Sequence, residues 1–409
     1  MPMRRQHTRP IPATGSAEVQ DGADYRVLIL SNGHGEDAIG AELVRRLPAG
    51  ITAEAYPTIG SGAAYQGVCP IVGPRAVLPS EGSRVHRGSL RADLRGGAIG
   101  RLVAGLRFLR TLRNRHDDIV VVGDSLGIIA LWLAGHREVL FLDVYKTGFG
   151  RPYGWLEQRL VLRTARHVFS RSPELAAVLN RAGGAASCHG NVMLDTVPRG
   201  NFDASAHRSS PHAVTLLPGS RGDAPENFAL FAAALRLLPA AQRPDVFLAL
   251  AGTLDPETLA SATGLTFAAG GTGDGLGSLE DEDLLIHLVR GRALGNLLEA
   301  SDAALALSGT AAIQAMGSGV PVIGFRGATE RHSRFEAESA LFGPGRIAVA
   351  PTPEALAGSL SHLLSDPEDR ARRAAIGRER VGGTGTLEAV LGVLEHRRRQ
   401  RSARASASA

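Results

Sequence analysis

Three short stretches place hydroxyls, acids and glycines where an α/β protein can use them. Ser308-Gly309-Thr310 separates an apolar run, Ala303–Leu307, from a small-residue run, Ala311–Gly317. A polar glycine turn between a strand end and a helix start offers free backbone N–H groups and the positive end of the helix dipole, which suits an anion. Leu216–Arg221 (LLPGSR) repeats the arrangement. Gly219 and Ser220 supply donors there, and Arg221 supplies a charged fork that fits a diphosphate. Two such loops favour a diphosphate-bearing ligand more than either loop does alone. In Asp117–Gly127 (DDIVVVGDSLG), Asp124 follows the tip of a buried strand. It can accept a proton from a substrate hydroxyl as general base, and the same position suits an Asp capping the next helix; both readings stand.

Two further stretches are less specific. Ser31–Asp37 (SNGHGED) carries Gly33 and Gly35 just after the first strand, where they permit a tight turn with exposed N–H groups. His34 can contact a phosphate or act as a base, and it can equally be a solvated turn residue. Glu36 and Asp37 fall in the first turn of a helix, where acids stabilise the dipole in any case. The spacing is neither GxGxxG nor GxxxxGK[ST], so the dinucleotide fingerprint and the P-loop are not met. Arg290-Gly291-Arg292 follows a strand and could hold a nucleotide base or face solvent as a basic turn.

The elements that must position these residues alternate strand and helix. Strands are expected at Tyr25–Leu30, Ala53–Pro57, Asp118–Val122, Glu138–Leu142 and His167–Ser170, with a helix at Ala38–Arg46. After a polar, proline-bounded patch the pattern restarts. It gives strands at Ala213–Leu217, Val246–Ala251, Asp283–Leu288, Ala303–Leu307, Val320–Phe325 and Arg346–Val349, and a helix at Phe228–Leu238. Thr263–Ser278 is glycine-rich and reads as a mobile loop. The expected architecture is α/β, with two Rossmann-like doubly wound domains facing across a cleft. The boundaries are a disordered segment 1–24, a first domain 25–197, a linker 198–212, a second domain 213–396, and a disordered basic tail 397–409.

Composition bounds the partners. The chain has 409 residues, 44% hydrophobic, with a net charge of +5. This permits an anionic partner without selecting one. No alternation of basic and aromatic residues marks a nucleic-acid module, so no nucleic acid is expected. Cys69 and Cys188 stand far apart and in no metal spacing, which points to a reducing, cytoplasmic setting. The N-terminus lacks the apolar core of a secretory signal, and no apolar run reaches 18 residues. Arg84–Arg115 is arginine-rich with interspersed Leu102, Val103, Leu106, Phe108 and Leu109. It can lie on the inner face of a membrane, or pack as a helix with snorkelling arginines.

Taken together, several stretches resemble the lipid-A-disaccharide synthase-related proteins, a branch of the GT-B glycosyltransferases. They are SNGHGEDAIG (31–40), CPIVGPRAVLPSEG (69–82), VVGDSLG (121–127), GNVMLDTV (190–197), LLPGSR (216–221), LSGTAAIQAMGSGVPVIGF (307–325) and RFEAESALFGPG (334–345). The resemblance runs in order over most of the chain, with LLPGSR and GNVMLD its more specific parts. It implies a GT-B fold, with a UDP-sugar in the second domain and a lipid or lipid-linked acceptor against the first. It also implies inversion at the anomeric carbon with no metal or other cofactor. It implies Asp124 as base and Gly219, Ser220, Arg221, Ser308, Gly309 and Thr310 as donor contacts; the basic turn at Arg290, read from the residues above, is the further donor-side candidate. Gly33, Gly35, Glu36, Asn191 and Asp195 would line the acceptor side of the cleft and its hinge. Three departures stand out: SNGHGED differs from the synthase's N-terminal acid-and-glycine pattern, Asp223 and Glu226 compete for the acid that usually follows the GSR loop, and the third concerns the ribose. The synthase has a glutamate after SGTA suited to ribose hydroxyls, whereas here Ile313 and Gln314 stand nearby, leaving Gln314 as a neutral partner for the diol. Two other readings stay open: a UDP-sugar 2-epimerase using His34, Glu36 and Asp37, and a non-catalytic nucleotide-sugar-binding protein.

Overall fold

The computed structural model describes residues 25–75, 98–146, 152–220, 222–307, 309–327, 330 and 332–408. The expected disordered segment 1–24, the part 84–97 of the arginine-rich stretch, Arg221 and Ser308 lie outside them. The first domain is built on β1 (Tyr25–Ser31), β2 (Ile51–Pro57), β3 (Asp118–Gly123), β4 (Val139–Asp143), β5 (Ala165–Ser170) and β6 (Ala186–Ser187). They form one parallel sheet in the order β2-β1-β3-β4-β5-β6. Strand side chains alternate between faces, and β1 has both faces covered. Val27 and Ile29 enter one core, while Leu28 and Leu30 enter the other. That is why β1 reads as a continuous apolar run rather than an alternating one.

The second domain contains β7 (Ala213–Leu217), β8 (Asp245–Leu250), β9 (Thr266–Ala269), β10 (Gly275–Glu280), β11 (Leu285–Arg290), β12 (Ala303–Ala306), β13 (Val322–Gly324) and β14 (Arg346–Ala348). Their order is β14-β13-β12-β7-β8-β11-β10-β9. All pairings are parallel except those of β10 with β11 and with β9. The strand expectations hold to within a few residues at each end.

Two expectations are corrected, and one is sharpened. Thr263–Ser278 is not a loop, because it contributes β9 and β10, an antiparallel hairpin whose turn uses the glycines. The linker 198–212, expected as a polar connection, carries an apolar anchor. Phe202 is buried in a cluster with Ala213, Phe247 and Val289, and its ring stacks on His207. The tail 397–409 is helical through Ser408, as part of a helix spanning Thr386–Ser408. Leu387, Val390, Leu391 and Leu394 of that helix pack onto the first sheet together with Val27, Ile29 and Ile39. The chain therefore returns from the second domain to close one face of the first. Arg397 and Arg401 anchor the helix on Asp118 and Asp117.

Candidate functional site

Ligands of open α/β sheets bind beyond the C-terminal strand ends, at the point where the chain reverses its direction of winding. In the first sheet that point lies between β1 and β3; in the second it lies between β7 and β12. Both candidate phosphate loops leave from the second of these points. Leu217 and Ala306 are paired neighbours at the ends of β7 and β12, and Leu307 N donates to Leu217 O at 3.3 Å. The Gly219-Ser220 turn and the Gly309-Thr310 turn thus emerge side by side. Gly219 and Gly309 adopt φ of +108° and +148°, a backbone region that favours glycine. Thr310 begins the helix Thr310–Gly317, whose N-terminal N–H groups open at the same place.

The first domain presents its own switch point to these loops. The helix His34–Arg45 starts four residues earlier than expected, directly after Gly33. His34, Gly35, Glu36 and Asp37 therefore form its first turn. A methyl group at Gly35 would lie 3.7 Å from Thr310 Oγ1, so the two domains approach each other here. On the neighbouring strand Asp124 caps the helix Ser125–Ala134, its Oδ1 accepting from Leu126 N at 2.9 Å. The same oxygen accepts from Asn32 Nδ2 at 2.6 Å. The cap reading of Asp124 is therefore realised, and the side chain is held at the cleft end of β3. Asn32 was not singled out in the sequence; its only sequence signal is its place at the end of the first strand.

Acids crowd this end of the cleft. Burial raises the Glu36 carboxyl above its ordinary value, and the negative charges of Asp124 and Asp37 raise it further. Asp37 is buried, with Ser31 Oγ donating to its Oδ1 at 2.6 Å; Ser31 in turn contacts Tyr65 OH at 2.9 Å. Burial pushes its pKa up to about 6, against the opposing pull of Ser31 and His34. A carboxyl raised on folding favours the folded state least once the pH has passed its folded pKa. Asp37→Asn is therefore expected to raise the melting temperature at pH 7.5 and to lose that advantage at pH 4. A scan of melting temperature against pH checks this.

Other expected site residues have structural duties. Gln314 is buried, and its Nε2 donates to Met193 O at 2.9 Å, so it ties the helix Thr310–Gly317 to the interdomain segment. Asn191 is fully buried; it accepts from Met193 N at 3.1 Å and donates to Val381 O at 3.2 Å. Asp195 accepts from Gly385 N at 2.6 Å and Leu387 N at 2.9 Å, satisfying the start of the C-terminal helix. GNVMLD thus forms the crossing where the chain passes out to the second domain and, at Gly382–Leu387, passes back. Asn191, fully buried at this crossing, does not line the cleft, while Asp195 is part-buried there. Arg290 is exposed at the end of β11, while Arg292 is engaged by the buried Asp274. Arg221 and Ser308 lie outside the described residues.

The structure adds a polar cluster that the sequence reading missed, formed by Ser125, Asp143, Lys146, Tyr153 and Glu157 beside Asp124. Its one sequence signal is that Lys146 is the single lysine among 45 basic residues. Among the described residues no three His, Cys, Asp or Glu side chains gather in a way that could hold a metal ion. Two surface cavities, of about 450 and 400 Å³, lie at the opposite, N-terminal ends of the first sheet, around Arg26 and Asp118. They are therefore not continuous with the cleft.

No protein-family model matches the chain, and no curated protein matches it in sequence. Solved structures match along nearly its whole length. A putative UDP-N-acetylglucosamine 2-epimerase from Listeria monocytogenes has a TM-score of 0.58 at 17% identity, covering 91% of this chain and 96% of that one. MurG of Acinetobacter baumannii has a TM-score of 0.55 at 15% identity, with 91% and 99% covered. The UDP-GlcNAc 2-epimerase of Neisseria meningitidis, solved with UDP-GlcNAc bound, has a TM-score of 0.56 at 14% identity, with 90% and 99% covered. At these identities the likeness concerns the fold. The chain has the GT-B fold.

Proposed function

We propose that the chain is a glycosyltransferase that moves a sugar, with inversion and without a metal, from a UDP-sugar to a lipid or lipid-linked acceptor. One observation carries this reading: two glycine-hydroxyl loops emerge side by side at the second domain's switch point, opposite Asp124 at the first domain's. This loop pair suits a diphosphate. Backbone N–H groups, Ser220, Thr310 and the helix N-terminus would stabilise charge on the leaving UDP, with Arg221 and Ser308 as further donors. Asp124 would accept the proton of the attacking hydroxyl from the other side of the sugar. Closure of the two domains would exclude water, which otherwise competes as acceptor. Fold likeness to a protein solved with UDP-GlcNAc is in keeping with the donor class.

The lipid half of the proposal rests on the surface of the first domain. Helices Ala98–Thr111, Ser125–Ala134 and Trp155–Thr164 lie side by side and expose Leu102, Val103, Leu126, Leu133, Trp155 and Leu156. Exposed Arg107, Arg110, Arg159 and Arg163 sit on the same helices. Apolar residues with flanking arginines suit an anionic bilayer surface, which an acceptor with a lipid anchor would occupy. No helix among the described residues is long and apolar enough to cross a membrane.

The acid cluster of Glu36, Asp37 and Asp124 beside His34 favours a second reading, isomerisation of the UDP-sugar at C2. The two readings differ in what they need. Incubation of UDP-sugars with and without lipid acceptor in mixed micelles is expected to release UDP only when acceptor is present. Inversion at C2 without acceptor would establish the second reading instead. Tight UDP binding with no turnover under any condition would leave a nucleotide-sugar-binding protein.

A further inference from the structure

We infer that Glu157 is a positioning residue for Asp124, acting through Ser125 and held in place by Lys146; the inference rests on the transferase reading above. Ser125 directly follows Asp124 and is the first residue of its helix. Its Oγ donates to Glu157 Oε1. The other carboxylate oxygen, Oε2, accepts from Lys146 Nζ at 2.7 Å and from Gly154 N at 3.1 Å. Glu157 is thus engaged on both oxygens, and one of the bonds reaches the residue next to the proposed base.

Lys146 is itself fixed. Asp143, at the end of β4, accepts from Tyr145 N at 2.9 Å and Lys146 N at 3.0 Å, and its second oxygen accepts from Tyr153 OH. The ammonium lies 5.5 Å from the centre of the Tyr153 ring. Asp143 is also the register partner of Gly123, the residue before Asp124. The tips of β3 and β4 and the helix Trp155–Thr164 are therefore braced together around the Asp124–Ser125 step. A compact ammonium suits this enclosed place, where the side chains of Lys146 and Glu157 are 19% and 20% exposed. A planar guanidinium is broader, and this is the one basic position in the chain that does not use it. Burial pushes the Glu157 carboxyl up, but the bonds from Lys146 and Ser125 outweigh it and hold the group below its usual value, so Glu157 is a carboxylate at neutral pH.

The test measures kcat and UDP affinity for Glu157→Ala, Ser125→Ala and the double variant, with wild type and Asp124→Asn alongside. Glu157→Ala is expected to lower kcat roughly 10²-fold, the scale of a misplaced reacting group, with UDP affinity unchanged. The double variant is expected to be no slower than Glu157→Ala, because the two act through one bond. Glu157→Gln, which can still accept from Ser125, is expected to recover much of the rate, and serves if the alanine variant does not fold. A normal kcat in Glu157→Ala, fully additive losses in the double variant, or weakened UDP binding would overturn the inference. An inert wild type, or an Asp124→Asn variant as fast as wild type, would instead remove the transferase reading, and this inference with it.

Discussion

Replacing Asp124 by asparagine is expected to lower turnover roughly 10²–10⁴-fold, the contribution of a positioned general base, with little change in stability or UDP affinity. The structure makes the substitution a clean one. Asp124 Oδ1 accepts from Leu126 N and from Asn32 Nδ2. An asparagine oxygen can accept both bonds and remains a good helix cap. What is lost is the negative charge and the basic lone pair. The comparison therefore separates the two duties of this residue, because Asp124→Ala would remove the cap as well. Steady-state kinetics with saturating donor, combined with the melting temperature of each variant, reads both effects. If Asn and Ala lower the rate only in proportion to lost stability, Asp124 is a cap and nothing more.

The largest effect on stability is expected at Arg397. Asp118 opens β3 with a side chain only 1% exposed, and it accepts from Tyr25 OH at 2.5 Å. Arg397 Nε donates to both of its oxygens at 2.9 and 2.8 Å. Arg397→Met leaves a buried carboxylate with one neutral partner. Removing one member of a buried ion pair costs about 3–5 kcal/mol, and the partial exposure of Arg397 places this variant at the lower end. Adding Asp118→Asn removes the stranded charge while keeping an acceptor for Tyr25, so the double variant is expected to regain part of the loss. Urea unfolding of the single and double variants checks both statements. The same substitution loosens the hold of the C-terminal helix on the first domain, so limited proteolysis near residue 397 is expected to quicken.

That anchor also explains what the sequence could and could not convey. Strand positions were legible because apolar runs such as YRVLILS and DIVVVG fill both faces of a parallel sheet. The two loops at the second switch point were legible because glycine and hydroxyl residues follow those runs directly. The tail was not, because RRRQRSARASASA has no apolar stripe of its own. Its helix is held by Leu387–Leu394 upstream and by acids 279 and 284 residues away. The partners of Gln314 and Asp195 were not legible for a related reason. Each is a polar residue in or near a loop motif, and only the interdomain crossing brings it to Met193 O or to the C-terminal helix. The Ser125–Glu157–Lys146 brace was invisible for the same cause, since its members are spread over three elements.

The central claim is that the loops at Gly219-Ser220 and Gly309-Thr310 form a site for the diphosphate of UDP. Calorimetric titration of the purified chain with UDP tests it most directly, using GDP and dTDP as controls and Gly309→Val as a variant that cannot easily keep the φ of +148°. Saturable UDP binding by wild type and by Asp124→Asn, sharply weakened in Gly309→Val, is the predicted result. No binding of UDP to a folded wild-type chain, or equal binding to Gly309→Val, would contradict it.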